Sequence, residues 1–500
     1  MIPPKKASTR AFSGPHWPRS ALTAAALSLA LGVGGCGTVT SEGSLPPEDS
    51  AISFFDDSLV HGISVEFSDE DYQAMLAAYS ASGDKDWISA TVTIDGTVLK
   101  DVGLRLKGNS SLNGLSGQGG DGGGTSEQPE TLPWLIRTDK YIDGQDYQGR
   151  TDLVVRGNNS ESSLNEALAL ELIGAADLAT LEASATRFSV NGSAQQLRLV
   201  IESPDDDLWN EDTFGTGGST YKAESTGDYT YRGEDTESYT DVFEQKAGGT
   251  EDLQPVIEFL DFINNSTDED FNAHLADHLD VDAFARYLAA QELLGNMDGI
   301  DGPGNNSYLR YDSGTGRMTV VTWDLNLAFG GMGGMGGSQP PEGLPEGMEP
   351  PEGMEPPEGL PDGVPDGRPD GLPDGLPDGT LYGTAPPAGA QLPADGTEQK
   401  GAGMPGSADN PLTTRFHADA EFEAAYDQAL TDLRTELYES GRAQEILDAW
   451  TALLTEQATD LVSAETVLEE SAGIAEYFTS GESDAGTGPA PEASAAAGLP

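Results

Sequence analysis

An α+β fold of antiparallel strands, hairpins and C-terminal helices is predicted by three observations. Two turn dipeptides, Asp95-Gly96 and Asn191-Gly192, sit between β-rich runs. Apolar stripes recur at helical spacing before and after the middle of the chain. A Pro- and Gly-rich acidic stretch interrupts that pattern without ending it, because helical spacing resumes at Asn410.

Taken in order, Ser68-Asp69-Glu70-Asp71 before Met75, Leu76 and Tyr79 predicts a capped helix start. Ala90 to Ile94 and Val98-Leu99 form a hairpin about Asp95-Gly96, and Val102 to Leu106 reads as a further strand. A glycine-rich loop over Gly114 to Gly124 leads to strands at Leu135 to Arg137 and Leu153 to Arg156. Leu164, Leu168 and Leu172 place one buried stripe on a helix over Glu161 to Ile173. Thr186 to Val190 and Gln196 to Glu202 form the second hairpin. Helices are predicted at Leu253 to Asn264 and, entered through Asp280, at Val281 to Leu294. Ser307 to Tyr311 and Met318 to Thr322 pair about a turn at Asp312 to Gly316. The stripe of Phe422, Ala425, Ala429, Leu433 and Leu437 and the segment Ala443 to Leu461 supply the last helices.

The N-terminus has the layout of a secretory signal: Lys5, Lys6, Arg10 and Arg19, an apolar run from Ala21 to Val33, then Gly34-Gly35-Cys36. Cys36 is the single cysteine, and Val33-Gly34-Gly35-Cys36 looks like a lipobox, so lipidation at Cys36 and a lipid anchor on the extracytoplasmic face of a bacterial membrane are expected. An ordinary cleavable leader with an incidental cysteine is the plainer alternative. Without a second cysteine no intramolecular disulfide forms, and the fold rests on its core. The organisation expected is a signal peptide and lipobox over 1–36, a tether over 37–50, the main part of one domain over 51–330, a low-complexity acidic insertion over 331–409, helices of the same domain over 410–470 and a disordered tail over 471–500.

Charge excludes one class of function. With 25 Lys and Arg against 85 Asp and Glu the formal charge is −60, which disfavours nucleic-acid binding through phosphate contacts. A small anion such as ATP would need a divalent cation between itself and these carboxylates.

The stretch richest in chemistry is Asn296-Met297-Asp298 with Asn305-Asn306, followed by Trp323-Asp324. Asn306 precedes the first strand of the third hairpin and Asp324 follows the second, so they share its open end, where paired strands lie about 5 Å apart. Asp298, in the loop feeding the hairpin, can reach the same place. Two carboxylates and an amide oxygen are hard ligands of the kind Mg²⁺ or Mn²⁺ takes beside substrate phosphates.

These residues carry a resemblance. Val102-Gly-Leu-Arg-Leu-Lys-Gly-Asn-Ser-Ser111, Tyr221-Lys222-Ala223, Asn296-Met-Asp298, Asn305-Asn306-Ser-Tyr-Leu309, Trp323-Asp324-Leu-Asn-Leu-Ala-Phe-Gly330 and Asn410-Pro-Leu412 occur in the order of the CotH (spore coat protein H) kinase-like family, which the chain resembles from about Ser64 to Val467. The resemblance implies an atypical protein-kinase-like fold that binds ATP with Mg²⁺ or Mn²⁺ and transfers phosphate to protein Ser or Thr. It implies Asp298 as the catalytic-loop acid, with Asn306 and Asp324 as metal ligands. Kinase logic adds Lys222 as phosphate-contacting lysine with Glu202 as its acidic partner. Lys107 reads either as a phosphate-side residue or as a strand end before a turn. Two departures stand out: Asn326 replaces a second acid after Asp324, and Gln195-Gln196-Leu197 replaces a glycine and tyrosine near the nucleotide.

Plainer readings compete at several places. Asp298 to Asn306 alone is an Asp-Gly and Pro-Gly turn, Trp323 is a core residue, and His274 with His278 lacks the glutamate of a zinc-protease helix. The rival for the whole chain is a catalytically inactive surface lipoprotein with an adhesion or envelope-organising role, motivated by the scarcity of ATP outside the cytoplasm.

Overall fold

The computed structural model describes residues 52–108, 110–115, 125–225, 227–302, 305–330 and 410–480. The leader with Cys36, the tether, most of the glycine-rich loop, the acidic insertion and the end of the tail lie outside the described residues. What is described is a mixed α+β structure with antiparallel pairing in both of its sheets.

The first sheet closes into a seven-stranded barrel. It begins with β1 (His61–Glu66), then helix α1 (Asp69–Ser82), whose Ser68 cap accepts from the Asp71 amide. Next come β2 (Ile88–Ile94), β3 (Thr97–Leu106), β4 (Trp134–Arg137) and β5 (Asp152–Val155). Helix α2 (Leu164–Ala175) separates these from the hairpin of β6 (Ala183–Val190) and β7 (Gln196–Ile201). The order is β1-β2-β3-β4-β5-β7-β6, and the parallel pair of β1 with β6 closes it. Closure follows from two-residue alternation: Val102, Leu104, Leu106, Trp134, Ile136, Leu153 and Val155 point inward into one apolar core. Their neighbours Leu135 and Val154 point outward and join a second core with α2 and the following elements. This explains why β5 is buried on both faces.

Helix α3 (Asp207–Phe214) leads to β8 (Ser219–Ala223) and β9 (Phe243–Ala247), then α4 (Gln254–Asn265), α5 (Asp268–His278) and α6 (Val281–Leu293). The hairpin of β10 (Ser307–Asp312) and β11 (Arg317–Thr322) adds to β8 and β9 in a four-stranded sheet of order β11-β10-β8-β9. After the insertion come α7 (Pro411–Ala418), α8 (Ala420–Leu433), a π-helical turn over Arg434–Glu439, α9 (Arg442–Gln457) and α10 (Ala464–Ser480). Among the described residues no helix is long and apolar enough to cross a membrane.

Three details differ from the sequence expectation. Val98-Leu99 and Val102 to Leu106 are one strand, β3, carried past a register shift and a left-handed Asp101 (φ 54°). Helix α2 starts at Leu164, three residues later than expected, after a left-handed Ser163. Helix α10 runs past Glu470 to Ser480, because Val467 and Ile474 bury against the second core.

Candidate active site

The β10–β11 hairpin sets the geometry. Ser307 pairs with Thr322, so the chain enters through Asn306 and leaves through Trp323-Asp324 at the same end. Asn306 Nδ2 donates to Asp298 Oδ2 at 2.7 Å. Asp298 and Asp324 line one cavity of about 200 Å³, together with Lys107, Gly108, Arg156 and Asn326. Asp298 thus meets Asn306 through a hydrogen bond and Asp324 across one cavity, while Asn306 is not among the residues that line that cavity.

Each loop is fixed by buried polar contacts. Asp298 sits on a loop held by Asn410, which caps α7 and donates to the Ile300 carbonyl at 3.1 Å, and by the Tyr287 hydroxyl, which accepts from the Ile300 amide at 3.1 Å. Gln291 joins this loop to the hairpin, accepting from Asn296 at 2.7 Å and donating to Thr322 Oγ1 at 3.2 Å. On the other loop Asp324 has φ 61°, a left-handed conformation that Asp tolerates better than most residues. Asn165 of α2 holds the following turn by donating to the Asn326 carbonyl at 2.6 Å.

Two basic residues face the carboxylates, and both are already engaged. Arg156, just beyond β5, donates to Asp324 and, through Nε at 2.9 Å, to Glu166 of α2. Burial works against its charge, but Asp324 and Glu166 outweigh that and hold the guanidinium above its ordinary range. Burial raises Glu166 in turn, aided by Asp324. Lys107, at the end of β3, lies 3.2 Å from Asp205, which also accepts from the Tyr308 hydroxyl at 2.7 Å. Burial alone would raise Asp205, but Lys107 and Lys246 overcome it and keep the carboxyl well below its usual range. Trp323 is buried as expected of a core residue, yet its ring also lies under Lys107 (5.2 Å) and Arg156 (5.6 Å). Gly108 has φ +93°, and a Cβ there would meet Ser111 Oγ at 2.2 Å, so the chain turns tightly against the cavity.

A family model described as CotH kinase protein matches residues 104–477, from inside β3 to near the end of α10. The chain belongs to the CotH family. A segment of 89 residues is 32% identical to the inner spore coat protein H of Bacillus subtilis (strain 168), 18% of this chain and 24% of that protein. The similarity therefore spans about a quarter of that relative's length. The CotH match takes in Lys107, Arg156, Asp298, Asn306 and Asp324.

Within this CotH domain the expected pairing of Lys222 with Glu202 is not formed. Glu202 accepts from Arg150 Nε and from the Glu182 amide, and burial pushes its carboxyl up to about 7. Lys222, on β8, donates to the Ala223 carbonyl at 3.2 Å and lies 5.6 Å from the Tyr308 ring, its ammonium lowered by burial. The physical reason is barrel closure: the short β5–β7 pairing brings Arg150, rather than the second sheet, to Glu202. The acid-paired bases at the cavity are Lys107 and Arg156. Sequence reasoning missed Arg156, Glu166 and Asp205. The usable signals were a charge closing the apolar run Leu153 to Val155 and an acid inside the buried stripe of α2.

The donor set fits a hard divalent cation in kind: two carboxylates and an amide, with no soft ligand among the described residues that line the cavity. Among the described residues no three carboxylate or imidazole groups converge, so substrate and water would have to complete a coordination shell.

Proposed function

We propose that this chain is an atypical, kinase-like phosphotransferase that takes ATP with Mg²⁺ or Mn²⁺ and a protein Ser or Thr hydroxyl as acceptor. One observation carries the reading: Asp298 and Asp324, from two separate loops, line one cavity with Lys107 and Arg156. Acids beside paired bases suit a site that must hold both phosphate oxygens and their counter-ion. A bound divalent cation would neutralise charge on the terminal phosphates, held by Asp324 and the amide oxygen of Asn306. Asp298 orients the acceptor hydroxyl and takes its proton. Lys107 and Arg156 bind phosphate oxygens, and for that Arg156 exchanges Asp324 for the substrate. Membership of the CotH family supports a kinase-like fold for the barrel and the sheet with its helices. The similarity to an inner spore coat protein of Bacillus subtilis supports a place in the cell envelope, and the sequence leader supports anchoring through a lipid on Cys36.

The test is transfer of the terminal phosphate, including autophosphorylation, with Mn²⁺ or Mg²⁺. Asp298→Asn should lower the rate by roughly 10²–10⁴-fold while leaving nucleotide affinity nearly unchanged. Asp324→Asn should abolish the metal-dependent part of nucleotide binding. Equal transfer by wild type and both variants would remove the assignment. A second reading, an inactive surface protein on the same scaffold, is favoured by Arg156 neutralising Asp324 and by Asn326 in place of an acid. Absence of a thermal shift with millimolar ATP and Mn²⁺ would select it.

A further inference from the structure

Both carboxylates that line the cavity are already engaged. Asp298 accepts from Asn306 Nδ2 at 2.7 Å, and Asp324 accepts from Arg156 Nη2. The cavity lining also carries two positive side chains, Arg156 itself and Lys107, the latter paired with Asp205. A divalent cation arriving alone must therefore take Asp324 away from a guanidinium and remain beside it.

The hold on Arg156 is uneven. Nε donates to Glu166 Oε2 at 2.9 Å while Nη2 serves Asp324, so two acids grip different edges of one planar group. Side-chain exposure is 3% at Glu166, 9% at Arg156 and 29% at Asp324, so a solute reaches the Asp324 side first. Glu166 Oε1 is buried with no hydrogen bond among the described residues, and the carboxylate depends on Arg156 for its compensation. Asn165, beside Glu166 on α2, donates to the Asn326 carbonyl, so one helix fixes both the guanidinium and the turn after Asp324. Glu166 is thus the lasting anchor of Arg156, and Asp324 is its exchangeable partner.

We propose that Arg156 is a latch on Asp324 that couples two ligands: a divalent cation takes Asp324 only when phosphate oxygens replace that carboxylate on Arg156. Exchange of anion for anion leaves the buried guanidinium paired at both edges, whereas a cation alone would strand it against a like charge. Arginine suits this role because its rigid fork serves two anions at once, which the single ammonium of a lysine does not. The latch rests on the phosphotransfer reading for the identity of the anion, the terminal phosphates of ATP, but not for the block on a cation alone. Cation and nucleotide should each tighten the other, by a factor in the usual range of about 5–150.

The experiment follows free Mn²⁺ by electron paramagnetic resonance as it is titrated into the full chain in high NaCl. Each protein is compared with the same protein carrying Asp324→Asn, so that cations on the acidic surface cancel. Asn tolerates the left-handed backbone at this position. Without nucleotide, wild type and Asp324→Asn should bind Mn²⁺ alike. Arg156→Lys keeps a positive charge for Glu166 and releases Asp324, and it should gain an Asp324-dependent Mn²⁺ site about tenfold or more tighter than wild type. Arg156→Gln with Glu166→Gln removes the buried pair together and should gain the same site, which serves if the lysine variant fails to fold. Mn²⁺ with ATP should raise the melting temperature of wild type, and Mn²⁺ alone should raise it no more than in Asp324→Asn. An Asp324-dependent Mn²⁺ site in nucleotide-free wild type, as tight as in Arg156→Lys, overturns the latch and leaves the phosphotransfer reading standing. Folded Arg156 variants that gain no such site also overturn it. A gain in those variants without any shift of wild type by Mn²⁺ with ATP keeps the block on the cation and removes the phosphotransfer reading.

Discussion

Lys107 serves three neighbours at once: the Asp205 carboxylate, the Trp323 ring and the cavity. Lys107→Met keeps the stem and removes the charge, leaving Asp205 buried with less compensation. Breaking one side of a buried pair costs about 3–5 kcal/mol, so denaturant unfolding at neutral pH should show a loss of that size. The difference should shrink in acid. In wild type the depressed Asp205 contributes stability that is present above its unfolded value of 3.8 and lost as pH falls through the lower folded value. In the variant the carboxyl protonates sooner and the penalty fades. Glu202 has the opposite sign. Its folded value of about 7 lies above the unfolded 4.5, so the folded chain retains a proton that the unfolded chain releases. Its contribution is complete below pH 4.5 and is lost as pH rises to about 7. Glu202→Gln should flatten melting temperature against pH across that window, and an unchanged slope would show that other groups set it.

At the scale of elements, the candidate site is two loops clamped by helices. Asn410 does two things, capping α7 through the Leu412 amide and holding the Ile300 carbonyl of the Asp298 loop. Asn410→Ala should therefore cost about 1 kcal/mol as a lost cap and also speed amide exchange across residues 296–302. A cap loss without faster exchange would show that Tyr287 and Gln291 hold the loop without Asn410. The same distinction explains what was legible in the sequence. The hairpins at Asp95-Gly96 and Asn191-Gly192 and the β10–β11 hairpin were readable because turn chemistry and alternation are local. So was the placing of Asn306 and Trp323-Asp324 at one end of that hairpin, which follows from its register, whereas the contact of Asn306 with Asp298 depends on the preceding loop as well. The short strands β8 and β9 were not read as strands, since Ser-Thr-Tyr-Lys-Ala and Phe-Glu-Gln-Lys-Ala have little apolar alternation and pair because β10 supplies an edge. Nor was Arg156 with Asp324, a contact between residues 168 positions apart that only the packed barrel and sheet create.

For the molecule as a whole, the governing quantity is a formal charge of −60. Like charges at this density oppose compaction, and added salt screens them within a Debye length of about 10 Å at 0.1 M. Melting temperature should accordingly rise with NaCl and level off, whichever residues occupy the cavity. A divalent cation acts in two ways, by screening and by binding at Asp324 and Asn306, and the two separate once monovalent salt has saturated the first. In high NaCl, Mn²⁺ with ATP should still raise the melting temperature of wild type. A ligand at about a hundred times its dissociation constant contributes about 2.7 kcal/mol. Asp324→Asn should lose this increment while keeping the whole of the NaCl response, because one carboxylate among 85 acidic residues hardly changes the general repulsion. An equal Mn²⁺ increment in both proteins would place the cation on the acidic surface rather than in the cavity.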